Sequence, residues 1–171
     1  PNEVDTTFEL GDRKYKIPIL AAAMDGVVDV NFAITMGKLG GIAVLNLDGV
    51  QTRYENPDQV LTEIASASPQ DATKLVQELY LKPVKENLIA KRIIEIKAAN
   101  VPVFASCIPQ NAQRFSAIAQ ESGCDVFVVQ STVATVKHIA QEYKVLDLEK
   151  FCKETKLPII IGNSVIYEVA L

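Results

Sequence analysis

Five short apolar runs, each followed by a helical pattern, constrain this chain more than any other feature. They occupy residues 17–22 (IPILAA), 42–47 (IAVLNL), 101–106 (VPVFAS), 125–130 (DVFVVQ) and 157–161 (LPIII). The runs are nearly continuous rather than alternating, as strands covered on both faces require, and that is the signature of a parallel sheet inside an α/β protein. Ile17 and Gly41 are 24 residues apart, as are Val101 and Asp125. Such a regular pitch suits a (β/α)8 TIM barrel, which needs about 250 residues. With 171 residues the chain would supply strands one to about five, the N-terminal part of a single barrel domain over residues 1–171. Residues 163–171 read as the opening of a helix with no terminating signal, so the chain reads as a piece of a longer protein. The competing architecture is an open, doubly wound sheet of five strands. It predicts a shuffled strand order, and no GxGxxG follows any strand to support it.

The segment from Lys14 to Gly49 carries the first βαβ unit. Pro18 stands at the start of the first strand, where a missing N–H is tolerated. Ala21, Ala22 and Ala23 leave room at its carboxyl edge, and Met24-Asp25-Gly26 must turn. Asp29 or Asn31 can cap the next helix, whose apolar face is expected at Phe32, Met36 and Leu39. Gly40-Gly41 ends it and opens the second strand. Two such strands are parallel neighbours joined by a right-handed crossover.

The remaining elements follow in order. Residues 1–15 are polar, turn at Gly11-Asp12 and cover one end of the sheet. Residues 48–55 read as a loop containing Arg53 and Tyr54. Asn56-Pro57 starts a helix with Val60, Leu61 and Ile64 inward. Ser68-Pro69 starts another with Leu75, Val76 and Leu79 inward, stopped by Pro83. Over residues 86–99, Ile89, Ile93 and Ile96 share one face, with Lys91, Arg92, Glu95 and Lys97 elsewhere. Pro109 opens a helix burying Ala112, Phe115 and Ala119 and ended by Gly123. Residues 132–143 are either loop or frayed helix. Asp147 caps a helix burying Leu148, Phe151 and Cys152.

Composition narrows the classes of function. The chain is 49% hydrophobic with a net charge of −4, enough for a core and without a basic run, which argues against nucleic acid as a partner. No apolar run approaches the ~20 residues of a membrane span, so no membrane partner is expected. Cys107, Cys124 and Cys152 form no CxxC and no metal-ligand cluster, which suits a reducing, cytoplasmic compartment.

The text IPILAAAMDGVVDVNFAITMGKLGGIAVLNLDG resembles the first βαβ unit of the IMP dehydrogenase/GMP reductase family, with its PMD after strand one and GGI before strand two. PIIIGNSVIYEVAL is similar to the family's strand five and following helix. With TRYENP and IPQNA, the likeness is nearest to the bacterial IMP dehydrogenase-related branch that lacks the paired regulatory domains. The resemblance implies a TIM-barrel oxidoreductase moving a hydride between NAD or NADP and a purine nucleotide (IMP, GMP or XMP), in homo-oligomers, usually tetramers, with a monovalent cation in the full-length protein. The family's nucleophilic cysteine sits in a G-x-G-x-x-C-T loop after strand six, a motif this chain does not contain, so its catalytic residues are not among these 171.

Carried over by position, Met24 stands where a methionine lies against the purine, with Asp25 behind it. Ala22 replaces a serine that reaches the nucleotide. Gln130 replaces an aspartate that binds the nicotinamide ribose, with Ser131 and Thr132 beside it. Ser164 falls at an asparagine, next to Asn163. The resemblance thus implies substrate contacts at Ala22, Met24, Asp25, Asn163 and Ser164, and cofactor contacts at Gln130, Ser131 and Thr132.

Plainer readings stand beside these. Met24 can be core filler, and Asn163 and Ser164 can cap the last helix. Cys107, at a strand's carboxyl end, reads as a buried inert thiol and His138 as a solvated surface site. Arg53 and Tyr54 read as a loop anchor or a contact to a phosphate or subunit. Two other functions also fit: an FMN-dependent barrel of the nitronate monooxygenase type, and a non-catalytic nucleotide-binding assembly module.

Overall fold

The computed structural model describes residues 3–131, 137–138, 146–164 and 167. A β-hairpin, β1 (Phe8–Leu10) and β2 (Arg13–Tyr15), precedes the first sheet strand β3 (Leu20–Ala21). Then come α1 (Val30–Lys38), β4 (Ile42–Asn46), the short α2 (Val50–Arg53), a helical hairpin of α3 (Pro57–Ser66) and α4 (Ala72–Tyr80), and α5 (Glu86–Lys97). β5 (Phe104–Cys107) leads through a single 3-10 turn into α6 (Ala112–Glu121) and β6 (Val126–Gln130). A small pair, β7 (Lys137–His138) and β8 (Leu146–Asp147), precedes α7 (Leu148–Glu154) and β9 (Ile159–Gly162).

The main sheet has the order β3-β4-β5-β6-β9, every pair parallel. Each strand therefore lies beside the next one in the chain, which is the order of a barrel wall and rules out the open doubly wound alternative. This is a half-barrel with helices on its outer face.

Period-two alternation sorts the strands between two cores. Ala43, Leu45, Val103, Ala105, Phe127 and Val129 face the helices, against Ile89, Ile93, Ile96, Phe115 and Phe151. Ile42, Val44, Phe104, Val126 and Val128 face the other way, toward the barrel interior. Tyr15 closes this second core from below, stacking on Phe8 at 5.1 Å and meeting Phe104 edge-on at 5.6 Å. The N-terminal hairpin thus caps the amino end of the barrel wall. Burial of each large side chain, Phe104 or Phe127 for example, stabilises the fold by about 2–3 kcal/mol.

Two expectations need correction. Of the inward face expected for α1 only Met36 packs against the core: Phe32 and Leu39 are exposed, and Ala33 is the buried residue. Small residues decide the rotation, because a Cβ on Gly37 would lie 2.5 Å from that of Val101, so the helix backbone seats closely through its Ala33–Gly37 side. Asp29, rather than Asn31, is the cap, accepting from the Phe32 N–H at 2.6 Å. Arg92, off the face of Ile89, Ile93 and Ile96, is nonetheless buried. Its guanidinium donates to the Gln51 carbonyl at 3.1 Å and the Glu55 carbonyl at 2.9 Å and pairs with Glu95 at 3.2 Å, so a rigid fork fastens α2 and its exit to α5. Cys152 is exposed on α7, where Phe151 alone is fully buried.

Smaller differences concern bounds. The first strand pairs only over Leu20–Ala21, and the loop of residues 48–55 contains α2. His138 pairs with Leu146 in β7–β8, while Thr132 and most of residues 132–143 lie outside the described residues.

Candidate functional site at the carboxyl rim

The inner-face alternation that buries Val44, Phe104 and Val128 continues two residues further to Asn46, Ser106 and Gln130, at the carboxyl ends of β4, β5 and β6. These polar side chains border a pocket of about 340 Å³, which Ala23, Asp48, Cys107, Ile108, Ser131 and Asn163 complete. The strand ends are tied together beneath it. The Ser131 N–H donates to the Gly162 carbonyl at 2.9 Å, and the Asn163 side-chain amide donates to the Ser131 carbonyl at 3.3 Å. The Ser131 hydroxyl oxygen is buried with no hydrogen-bond partner among the described residues, a polar atom that asks for one.

Asp48 is the only charged group among the described residues of the lining. Its carboxylate accepts from the Ile108 N–H at 2.7 Å and the Asn111 amide at 2.5 Å, clasping the β4 exit to the start of the next helical segment. Burial outweighs these donors and raises its carboxyl above the ordinary 3.8. A raised carboxyl means the folded state binds the proton more tightly, so this group makes stability fall as pH climbs from about 4 through the raised value. Asp48→Asn is therefore expected to flatten that fall and lose little at neutral pH, since an amide carbonyl still accepts from Ile108. Asp48→Ala, which strands both donors, is expected to cost about 1–2 kcal/mol. Unfolding midpoints of both variants between pH 4 and 8 check this; equal losses at neutral pH would refute it.

Met24 and Ala22 are exposed on the loop that leaves β3 at the same rim. The Met24 carbonyl accepts from the N–H groups of Val27 and Val28 at 2.9 and 2.8 Å. Asp25 lies behind this loop with its carboxylate engaged. It accepts from the Asn46 amide at 3.0 Å, from the Val50 N–H at 2.8 Å and from the Tyr80 hydroxyl. Asn46 in turn accepts from the Asp48 N–H at 3.0 Å, so Asp25, Asn46 and Asp48 form one chain of bonds across the strand ends.

Of the residues singled out from the sequence, the structure gathers Gln130, Ser131 and Asn163 in one pocket. Exposed Ser164 follows Asn163, and Thr132 lies outside the described residues. Asn46, Asp48 and Ser106 were not singled out, although polar residues ending inward-facing strand positions are a readable signal. Cys107 borders the pocket, but burial, reinforced by the Asp48 charge, holds its thiol well above the ordinary value, so it is a protonated, poor nucleophile. Arg53 proves an anchor. It donates to the Asp48 carbonyl at 2.9 Å and to the Lys82 carbonyl, and its guanidinium lies 5.4 Å from the Tyr80 ring centre.

A parallel half-barrel wall with a polar pocket where its strands end is the ligand rim of a TIM barrel. Residues 1–170 match the family model described as the IMP dehydrogenase/GMP reductase domain, and the chain belongs to that family. A protein of Mycobacterium bovis, designated an uncharacterized oxidoreductase, is 32% identical over 174 residues, which cover 99% of this chain and 46% of the relative. The IMP dehydrogenase of Methanocaldococcus jannaschii is 30% identical over 79 residues, 42% of this chain and 16% of its own. The crystal structure of an IMP dehydrogenase/GMP reductase-like protein from Corynebacterium glutamicum superposes with a TM-score of 0.90 at 27% identity, covering 99% of this chain and 45% of that one. The chain spans about half the length of the curated relatives it matches over nearly its whole extent. Among the described residues no helix is long and apolar enough to cross a membrane.

Proposed function

We propose that this chain forms the base and cofactor side of the site in an NAD(P)-linked oxidoreductase acting on purine nucleotides, within a single barrel domain whose remaining strands supply the nucleophile. One observation carries the reading in this family: a rim pocket bordered by neutral hydrogen-bonding groups, among them a buried Ser131 hydroxyl with no partner among the described residues. Among the described residues its lining holds one carboxylate and no lysine or arginine, which suits a base and ribose hydroxyls better than a phosphate.

The residues present fit a dinucleotide cofactor. The Gln130 amide and the Ser131 hydroxyl would hold ribose hydroxyls, and Met24 would lie against the purine face. When bound, the nicotinamide supplies hydride chemistry. The chain's own residues bind, orient and exclude water. Asn163 holds the β6 and β9 ends in register beside the pocket, and the Asp25–Asn46–Asp48 chain ties the Met24 loop to the strand ends at the rim. The same reading makes the intact protein a homo-oligomer, with IMP, GMP or XMP as its ligand.

The test is turnover by the intact protein, with IMP plus NAD and with GMP plus NADPH. Activity in either direction is expected. Silence in both, with no nucleotide binding by calorimetry, would sink the reading. Gln130→Asp, which restores a charged acceptor, is expected to tighten dinucleotide binding about five-fold, the worth of a charge-assisted over a neutral hydrogen bond. A second reading, nucleotide binding without turnover, is favoured by Ala22 and Gln130, the positions where polar or charged family contacts are missing. Binding of IMP or GMP without reaction would select it. Flavin colour in the purified protein would select the FMN-dependent alternative.

A further inference from the structure

We infer that Tyr80, on a helical hairpin that contributes no residue to the rim pocket, is a positioning residue that holds the Met24 loop in place through Asp25. This rests on the carboxyl-rim site proposed above and extends it to α3–α4.

The tie is specific in its geometry. Tyr80 ends α4 and stands 55 residues along the chain from Asp25, to whose carboxylate its hydroxyl donates. The other Asp25 donors, Asn46 and the Val50 N–H, come from the barrel wall and the start of α2. Tyr80 is therefore the one donor to Asp25, among the described residues, supplied by the hairpin. Around it the hairpin end is clamped. The Tyr54 hydroxyl donates to the Leu79 carbonyl at 2.9 Å, Arg53 lies against the Tyr80 ring, and the Lys85 N–H donates to the Thr52 carbonyl at 2.9 Å. Burial and the neighbouring Asp25 carboxylate push the Tyr80 phenol well above its ordinary 10, so the donor keeps its proton across the neutral range.

The consequence falls on the loop. Asp25 immediately follows Met24, whose carbonyl receives the Val27 and Val28 N–H groups in a tight turn. Holding the Asp25 carboxylate from three sides fixes this turn against the strand ends at the rim, where Ala23, just before Met24, lines the pocket. Removing one side lets the turn sample other positions, and a ligand that needs the held position then binds in proportion to its population.

Tyr80→Phe keeps the ring, its packing and the Arg53 contact while deleting the donor. In the intact protein, amide hydrogen exchange of Val27, Val28 and Val50 is expected to speed up several-fold, with β4 and β5 unchanged. IMP or GMP, whichever the wild type binds, is expected to bind about five-fold more weakly. Tyr54→Phe is the matched control, since it loosens the same hairpin end without touching Asp25 and is expected to leave the loop amides unchanged. Unaltered loop exchange in Tyr80→Phe, or the same acceleration in Tyr54→Phe, would overturn the assignment. Exchange is read without ligand, so a wild-type protein that binds no purine nucleotide defeats the proposed substrate and leaves the Tyr80 result to be judged by exchange alone.

Discussion

Gly49→Ala is expected to destabilise the protein by about 3–5 kcal/mol, more than any conservative exchange elsewhere in the rim. Gly49 caps α2, and its backbone is in the extended region open to any residue, so the demand for glycine is one of space. A Cβ there would fall on the Asp25 carboxylate, which already bonds Asn46, the Val50 N–H and Tyr80. Overpacking alone costs about 1–3 kcal/mol. Displacing a carboxylate from its donors adds about 1.5–3 for each charged hydrogen bond not re-formed. Gly26→Ala provides the control in the same loop. A Cβ at Gly26 meets nothing within 4 Å, and the change is expected to stay within about 0.5 kcal/mol. Urea or thermal unfolding of the two variants checks the contrast, and comparable losses would show that crowding at Asp25 is not the cause.

Asp125→Ala is expected to cost about 3 kcal/mol, at the opposite end of the barrel. Its side chain is 1% exposed and receives Arg13 and Lys97, each at 2.6 Å, together with the Val103 N–H at 2.9 Å. Arg13 belongs to the N-terminal hairpin, Lys97 to the end of α5 and Val103 to the approach to β5, so one carboxylate joins the barrel's plug to its wall. Removing a partner from a buried pair costs about 3–5 kcal/mol when the remaining charge is stranded. Here the cations are 56% and 38% exposed and recover hydration, which places the loss near the lower end. Arg13→Ala, by the same reasoning, is expected to cost less than about 1 kcal/mol, because Lys97 and Val103 keep the carboxylate satisfied. Asp125→Asn, which can still accept from Val103, is expected to fall between. A ranking in which Arg13→Ala costs as much as Asp125→Ala would contradict this account. A groove of about 500 Å³ also lies at this end, lined in part by Arg13, Tyr15 and Lys97. Both of its paired cations are committed to Asp125, which makes it part of the plug's anchorage.

The five strands were readable because a wall covered on both faces must be built of nearly unbroken apolar runs, and their succession because the first and third crossovers return at the same spacing, the α3–α4 hairpin lengthening the second. The ends of β6 and β9 were readable for the same reason: Gln130 and Asn163 are where those runs stop. The face of α1 was misread because periodicity counts large side chains. In the folded chain the small pair Ala33 and Gly37 brings the helix closest, leaving Phe32 and Leu39 outside. The burial of Arg92 was not legible, because the carbonyls from α2 and its exit that converge on it come together only in the fold.

Local order in a polypeptide is encoded by neighbours in the chain, and so hydrophobic period, caps and glycine turns announced a parallel β/α wall and its family likeness without coordinates. Which groups satisfy a buried polar atom is settled by neighbours in space. Only the folded chain could bring the Tyr80 hydroxyl to Asp25, bond Asp48 to the Ile108 N–H, and bury the Ser131 oxygen beside the pocket without a partner among the described residues.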